Sequence, residues 1–124
     1  MMEESASEVA KRELLNWPGV TVHDHRFGGL EFRVNGREMG HIHGDELADL
    51  PLPKDISRKL IAQGKVSPHH FIPQSGWISY YINGTADIPG LIELFRMQYE
   101  RMTSYGKKSK SAPATTPVSS AQTP

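Results

Sequence analysis

The 124-residue chain contains no cysteine. Disulfides, thiolate nucleophiles and zinc-thiolate sites are therefore excluded, and any metal would need histidine, aspartate or glutamate ligands. No apolar run approaches the ~18–20 residues needed to span a bilayer. The start, Met1-Met2-Glu3-Glu4-Ser5, lacks the basic-then-apolar order of a secretory signal, so a cytoplasmic protein without membrane association is expected. Net charge is missing too. Fourteen Lys and Arg balance fourteen Asp and Glu, which leaves no strong overall field for nucleic acid or anionic membrane. There is no phosphate-cradling glycine loop, no dinucleotide fingerprint and no serine-centred nucleophile elbow. At this length there is room for one domain with one core.

The balanced charge hides an asymmetry. Lys107, Lys108 and Lys110 lie in a C-terminal segment without acids, so residues 1–105 carry a net charge of −3. From Gly106 onward the chain has no aromatic residue, one large aliphatic (Val118) and many hydroxyls and prolines. Such a segment buries too little apolar area to offset the entropy of ordering. A domain over 1–105 and a disordered basic Ser/Pro/Thr-rich tail over 106–124 are expected.

Ser5 and Glu8 have capping-box spacing, and Val9, Ala10, Glu13, Leu14 and Trp17 form a short amphipathic stripe that Pro18-Gly19 stops. Val20 and Val22 alternate with Thr21 and His23 as in a half-buried strand. Leu30, Phe32 and Val34 alternate with Glu31 and Arg33 before Asn35-Gly36, the φ > 0 pair of a type I′ hairpin turn. A two-residue loop pairs Val34 with Arg37, Phe32 with Met39 and Leu30 with His41. That register puts Arg37, His41 and His43 on the apolar face of the sheet, and a bulge would reverse the faces. Asp49 to Pro53 reads as a rigid extended connector, because each proline disfavours helix at the residue before it. Ile56, Leu60 and Ile61 mark a short helix closing at Gly64. Residues 66–72 and 76–82 read as two further strands rich in aromatic and β-branched residues. Ile88, Leu91, Ile92, Phe95, Tyr99 and Met102 form the stripe of a final helix, with Asp87 as its cap and Pro89 in its first turn. The order predicts an α+β fold, a small antiparallel sheet of about five strands packed with three helices.

All six histidines fall between residues 23 and 70: His23, His25, His41, His43, His69 and His70. Imidazole serves as acid, base, hydrogen-bond partner or metal ligand near neutral pH. His41-Ile42-His43 puts two imidazoles on one strand face, about 7 Å apart at Cα. A third donor from His69, His70, Asp45, Glu46 or Asp49 would complete a zinc or iron site with an open position. Nothing in the sequence requires a cofactor, and the same residues suit a metal-free polar pocket or hydrogen-bonded structural roles. In a pocket, His41 or His69 could act as general base toward a phenol or enol. Arg37 would then bind an anionic substrate or intermediate. His23-Asp24-His25 is the weaker candidate, expected to face water opposite Val20 and Val22. Trp77, Tyr80 and Tyr81 form an aromatic band that packs a core or walls a pocket for a flat ligand.

Gly36-Arg-Glu-Met-Gly-His-Ile-His43, then a leucine- and proline-rich connector, Pro68-His-His70, Gly76-Trp-Ile-Ser79 and Gln98-Tyr-Glu-Arg-Met102 follow one another along the chain. This order resembles the luciferase-domain family, which comprises small bacterial proteins of unknown function and the later part of the fungal luciferases. The resemblance spans roughly residues 17–102. Fungal luciferases oxidise a hydroxylated pyrone-type luciferin with molecular oxygen. The resemblance implies a shared pocket at Arg37, Glu38, His41, His43, His69 and Trp77. A counterpart of the long N-terminal region and membrane anchor of those luciferases is not expected, and neither is light emission. The layout is also similar to the MmcQ/YjbR family of small α+β proteins, through Pro18-Gly-Val20, the hairpin from Gly29 to Gly36 and Trp77. That family is related in fold to double-wing DNA-binding domains.

The expected site therefore comprises His41, His43, His69, Arg37 and Glu38 as chemical groups, with Trp77, His70 and Tyr81 contacting a small aromatic or enolic ligand. The rival expectation is a non-enzymatic module binding protein or nucleic acid, for which the tail lysines offer a thin footprint. The oligomeric state is not readable from the sequence.

Overall fold

Ser5 opens the first helix as its spacing predicts. In the computed structural model, which describes residues 5–25, 28–69 and 76–111 with side chains as far as 104, Ser5 accepts from the Glu8 N–H and the Glu8 carboxylate reaches back to Ser5. This capping box starts α1 (Ala6–Leu14), which buries Ala6, Ala10 and Leu14. Then follow β1 (Val20–Asp24), β2 (Leu30–Val34), β3 (Arg37–His43), β4 (Leu47–Pro51), α2 (Lys54–Ala62), β5 (Ser67–Pro68), β6 (Trp77–Tyr81), a 3-10 turn (Thr85–Asp87) and α3 (Ile88–Ser111). The strands form one antiparallel sheet in the order β1-β2-β3-β4-β6-β5. The class is α+β with three helices, as expected.

The sheet has six strands rather than about five. The additional strand is β4, expected as connector. A residue before proline prefers extended backbone, and that preference serves a strand as well as a linker. Pro51 is tolerated because it ends the strand. The expected strand over 66–72 is described only as Ser67–Pro68, and residues 70–75 lie outside the described residues. The backbone of α3 continues past Gly106 to Ser111, and the rest of the expected tail, 112–124, also lies outside them. Among the described residues no helix is long and apolar enough to cross a membrane.

The hairpin turn forms as its sequence dictates, with Asn35 at φ 52° and Gly36 at φ 83°, and Val34 faces Arg37. The register then shifts. Arg33 faces Glu38 but Phe32 faces Gly40, so Met39 is an extra residue, a β-bulge. Beyond it Leu30 faces Ile42 and Glu31 faces His41, not the expected Leu30–His41 pair. Since side chains alternate with period two, this slip sends Ile42 to one face and His41 and His43 to the other.

The first face is the core. Phe32, Val34, Met39, Ile42, Ala48, Leu50 and Ile78 pack there with Ala10 and Leu14 of α1 and Leu91, Leu94 and Phe95 of α3. Two features of α3 hold the bulge. The fully buried Gln98 donates from Nε2 to the Met39 carbonyl at 3.1 Å and the Pro51 carbonyl at 3.2 Å. Gly40 lets α3 approach: a Cβ there would lie 2.8 Å from the Asp49 carbonyl oxygen and 3.1 Å from the Phe95 ring. The Tyr99 hydroxyl donates to the Pro18 carbonyl at 2.7 Å, tying the end of α1 to the same helix.

Candidate functional site

On the other face the register lines up one residue from every strand: His23, Glu31, His41, Asp49, Ser79 and Ser67. Asp49 is at the centre of the row and is fully buried, an environment a carboxylate occupies only when paired. Its partners are imidazoles. His43 Nε2 lies 3.0 Å from Asp49 Oδ2, His41 Nε2 3.3 Å and His69 Nε2 3.6 Å from the same oxygen. The other oxygen, Oδ1, accepts from the Ser79 hydroxyl at 2.6 Å. Period two carries His41 and His43 to Asp49 from β3. The step after the short β5 carries His69 there from the far edge.

His41 is also held from its other side. Its Nδ1 lies 2.7 Å from Glu38 Oε2. An ionised carboxylate only accepts, so Nδ1 carries the hydrogen. Burial lowers the His41 pKa, but the hydrogen bonds to Asp49 and Glu38 outweigh it and raise the pKa to about 9. In the protein without ligands His41 is thus an imidazolium between two carboxylates at neutral pH. His25 stacks on it, ring centroids 4.1 Å apart, and lies 5.6 Å from the His43 ring. Burial, and then the charges of His41 and His43, lower the His25 pKa, so that ring is neutral. Trp77 flanks the cluster, 5.6 Å from the His41 ring and 5.9 Å from the His69 ring.

The fold brings together five of the expected residues: His41, His43, His69, Glu38 and Trp77. It separates Arg37. The expectation that Arg37 shares a face with His41 rests on an unbroken ladder. With the bulge, Arg37 is exposed opposite Val34, on the helix side, where it faces the like charge of Arg101 and helps lower that guanidinium's pKa, after burial. Among the described residues the guanidinium on the histidine face is Arg33, bound to Glu31 at 2.7 Å. Tyr81 is on the histidine face but exposed at the level of Leu47, and Tyr80 turns to the helices, its hydroxyl donating to the Asp87 carbonyl. His70 lies outside the described residues.

Two groups matter more in the structure than the sequence alone suggests. By sequence, Asp49 is one of three carboxylates near His43; recognising β4 as a strand singles it out, because it faces His41. His25 is expected in solvent. Its alternation with Val20 and Val22 holds, but the bulge moves His41 and His43 onto that same face.

A family model described as Luciferase domain matches residues 36–98, just over half of the chain. The chain belongs to the luciferase-domain family. The matched stretch runs from the turn glycine to Gln98 and includes Glu38, His41, His43, Asp49, His69 and Trp77; His25 precedes it. No curated protein and no solved structure matches the chain. The MmcQ/YjbR likeness therefore rests on sequence layout alone.

Proposed function

We propose that the histidine face of this luciferase-domain protein binds a small hydroxylated aromatic or enolic molecule. The observation that carries this reading is the convergence of three imidazole Nε2 atoms on one buried carboxylate oxygen beside an indole. The indole offers a flat apolar wall, and the cluster offers proton donors and acceptors to a phenol or enol. His41, doubly bound to Glu38 and Asp49, supplies the positive charge expected of Arg37 and favours the ligand's anion. His43, half-buried, is the group best placed to take the hydroxyl proton. An electron-rich enolate is the species that oxygenase-type chemistry would start from, which fits membership of this family.

Trp17→Phe leaves Trp77 as the sole indole, and its fluorescence can be titrated with hydroxypyrones and catechols. Saturable quenching is expected from at least one of them, lost in His41→Ala while thermal unfolding stays cooperative. Equal quenching with and without His41 would refute the assignment. Salt-sensitive nucleic-acid binding that disappears with residues 106–124 would favour the interaction module instead.

A further inference from the structure

We infer that the floor of this face is a binding site for one divalent transition-metal ion, with His41 Nε2, His43 Nε2 and Asp49 Oδ2 as ligands. The inference deepens the reading of this face as a ligand site and rests on it. Its basis is geometric. One donor atom from each of the three residues lies within 4.8 Å of the other two. Metal–ligand bonds of about 2.1 Å at angles of about 90–110° place neighbouring ligand atoms about 3.0–3.4 Å apart. The two imidazole–carboxylate separations are 3.0 and 3.3 Å.

The hydrogen-bond pattern points the same way. Glu38 fixes the His41 hydrogen on Nδ1, so the neutral ring turns a lone pair at Nε2 toward the lone pairs of Asp49. Something positive must lie between them, a proton or a metal ion. Two of the three ligands are also oriented from behind: Glu38 holds His41, and Ser79 holds the second Asp49 oxygen, leaving Oδ2 toward the imidazoles. Carboxylate–histidine pairs of this kind commonly support metal ligands. His69, 3.6 Å from the same oxygen, is the next donor in reach.

The donor set selects the ion. Two imidazoles and one carboxylate disfavour magnesium and calcium, which take oxygen ligands. With positions left open, this set suits ferrous iron or zinc. Such an ion would polarise an enol or phenol oxygen placed against Trp77.

The test uses the untagged full-length protein after chelator treatment. Zn²⁺ and, anaerobically, Fe²⁺ are titrated by calorimetry, and the imidazole nitrogens are followed by NMR with Zn²⁺. One equivalent should bind and shift the His41 and His43 nitrogens together, leaving His23 unmoved. His43→Ala, a substitution at a half-buried position, should weaken binding at least ~100-fold, and Glu38→Gln about 10–100-fold, as for other supporting groups. Asp49→Asn should abolish it; should that variant not fold, the wild-type NMR shifts and His43→Ala decide. No saturable binding, unmoved His41 and His43 nitrogens, or undiminished affinity in His43→Ala overturns the inference. Quenching of Trp77 by a hydroxypyrone in chelator-treated protein would then leave the organic-ligand site standing alone. Saturable metal binding at His41 and His43, with no quenching by any hydroxypyrone or catechol, would instead uphold the metal site and remove the organic ligand.

Discussion

The two faces of β3 are built from interleaved residues yet follow different rules. Met39, Gly40 and Ile42 face α3 and are fully or nearly enclosed among apolar side chains. Glu38, His41 and His43 face away and form a chain of imidazoles and carboxylates ending at Asp49. One face is held by area removed from water, which is indifferent to direction. The other is held by directional hydrogen bonds and charge, which tolerate little displacement. A single extra residue, Met39, keeps each set on its proper side, and α3 enforces it from the apolar face. The site is thus positioned from behind.

Inserting one alanine between Gly40 and His41 should therefore have the largest effect. With the bulge in place the inserted residue would face Glu31, and His41 and His43 would turn into the core while Ile42 turned out. Circular dichroism on heating should show no cooperative transition. A cooperative, stable insertion variant would mean that the register of β3 is not what separates the faces. A milder break is Gln98→Leu. It leaves two buried carbonyls, those of Met39 and Pro51, without their donor, at a cost of about 1–3 kcal/mol each. Urea denaturation measures this, and unchanged stability would show that the bulge carbonyl finds another partner.

These residues also show which parts of the structure can be read in the sequence. The capping box at Ser5, the Asn35-Gly36 turn and the stripe of α3 are local features, governed by spacings of two to four residues, and all are legible. The clustering of histidines and the luciferase-domain likeness pick out His41, His43, His69, Glu38 and Trp77. The faces of β3 are not legible, because a bulge depends on Gln98 and on the close approach of Phe95 to Gly40, about sixty residues away in the chain. Asp49 is obscured by the two prolines after it, whose local bias suits connector and strand alike. Arg37 is misplaced for the same reason as the histidines, by counting across the bulge.

The histidine face can be weakened without touching the core by changing pH. In chelator-treated protein the folded His41 pKa is raised to about 9 from 6.5. A raised pKa means the folded state binds the proton more tightly, so this contribution is fully present below about pH 6.5 and is lost as pH rises through about 9. Allowing for solvent screening, the loss is on the order of 1–2 kcal/mol. It is measured as urea stability between pH 6 and 10, and His41→Ala should remove that slope. A wild-type profile equal to that of His41→Ala would mean that Glu38 and Asp49 do not hold the charge of the ring.

The smallest expected effect separates the faces most cleanly, because it compares two arginines on neighbouring strands. Arg37 projects to the helix side, exposed and near the like charge of Arg101. Arg33 projects to the histidine side and holds Glu31, the cross-strand neighbour of His41. Arg37→Ala removes a repulsion and no ion pair to the site, so stability should stay within about 0.5 kcal/mol. Zinc affinity and ligand quenching should both be unchanged. Arg33→Ala frees the Glu31 carboxylate beside His41, and an added negative charge there favours a bound cation, so zinc affinity should rise slightly. Stability should fall by no more than about 1 kcal/mol, since the pair is partly exposed. If Arg37 rather than Arg33 altered the site, the register of β3 would have to be unbroken. The bulge would then not separate the faces, and the removal of one charge from each face of the same hairpin would have shown it.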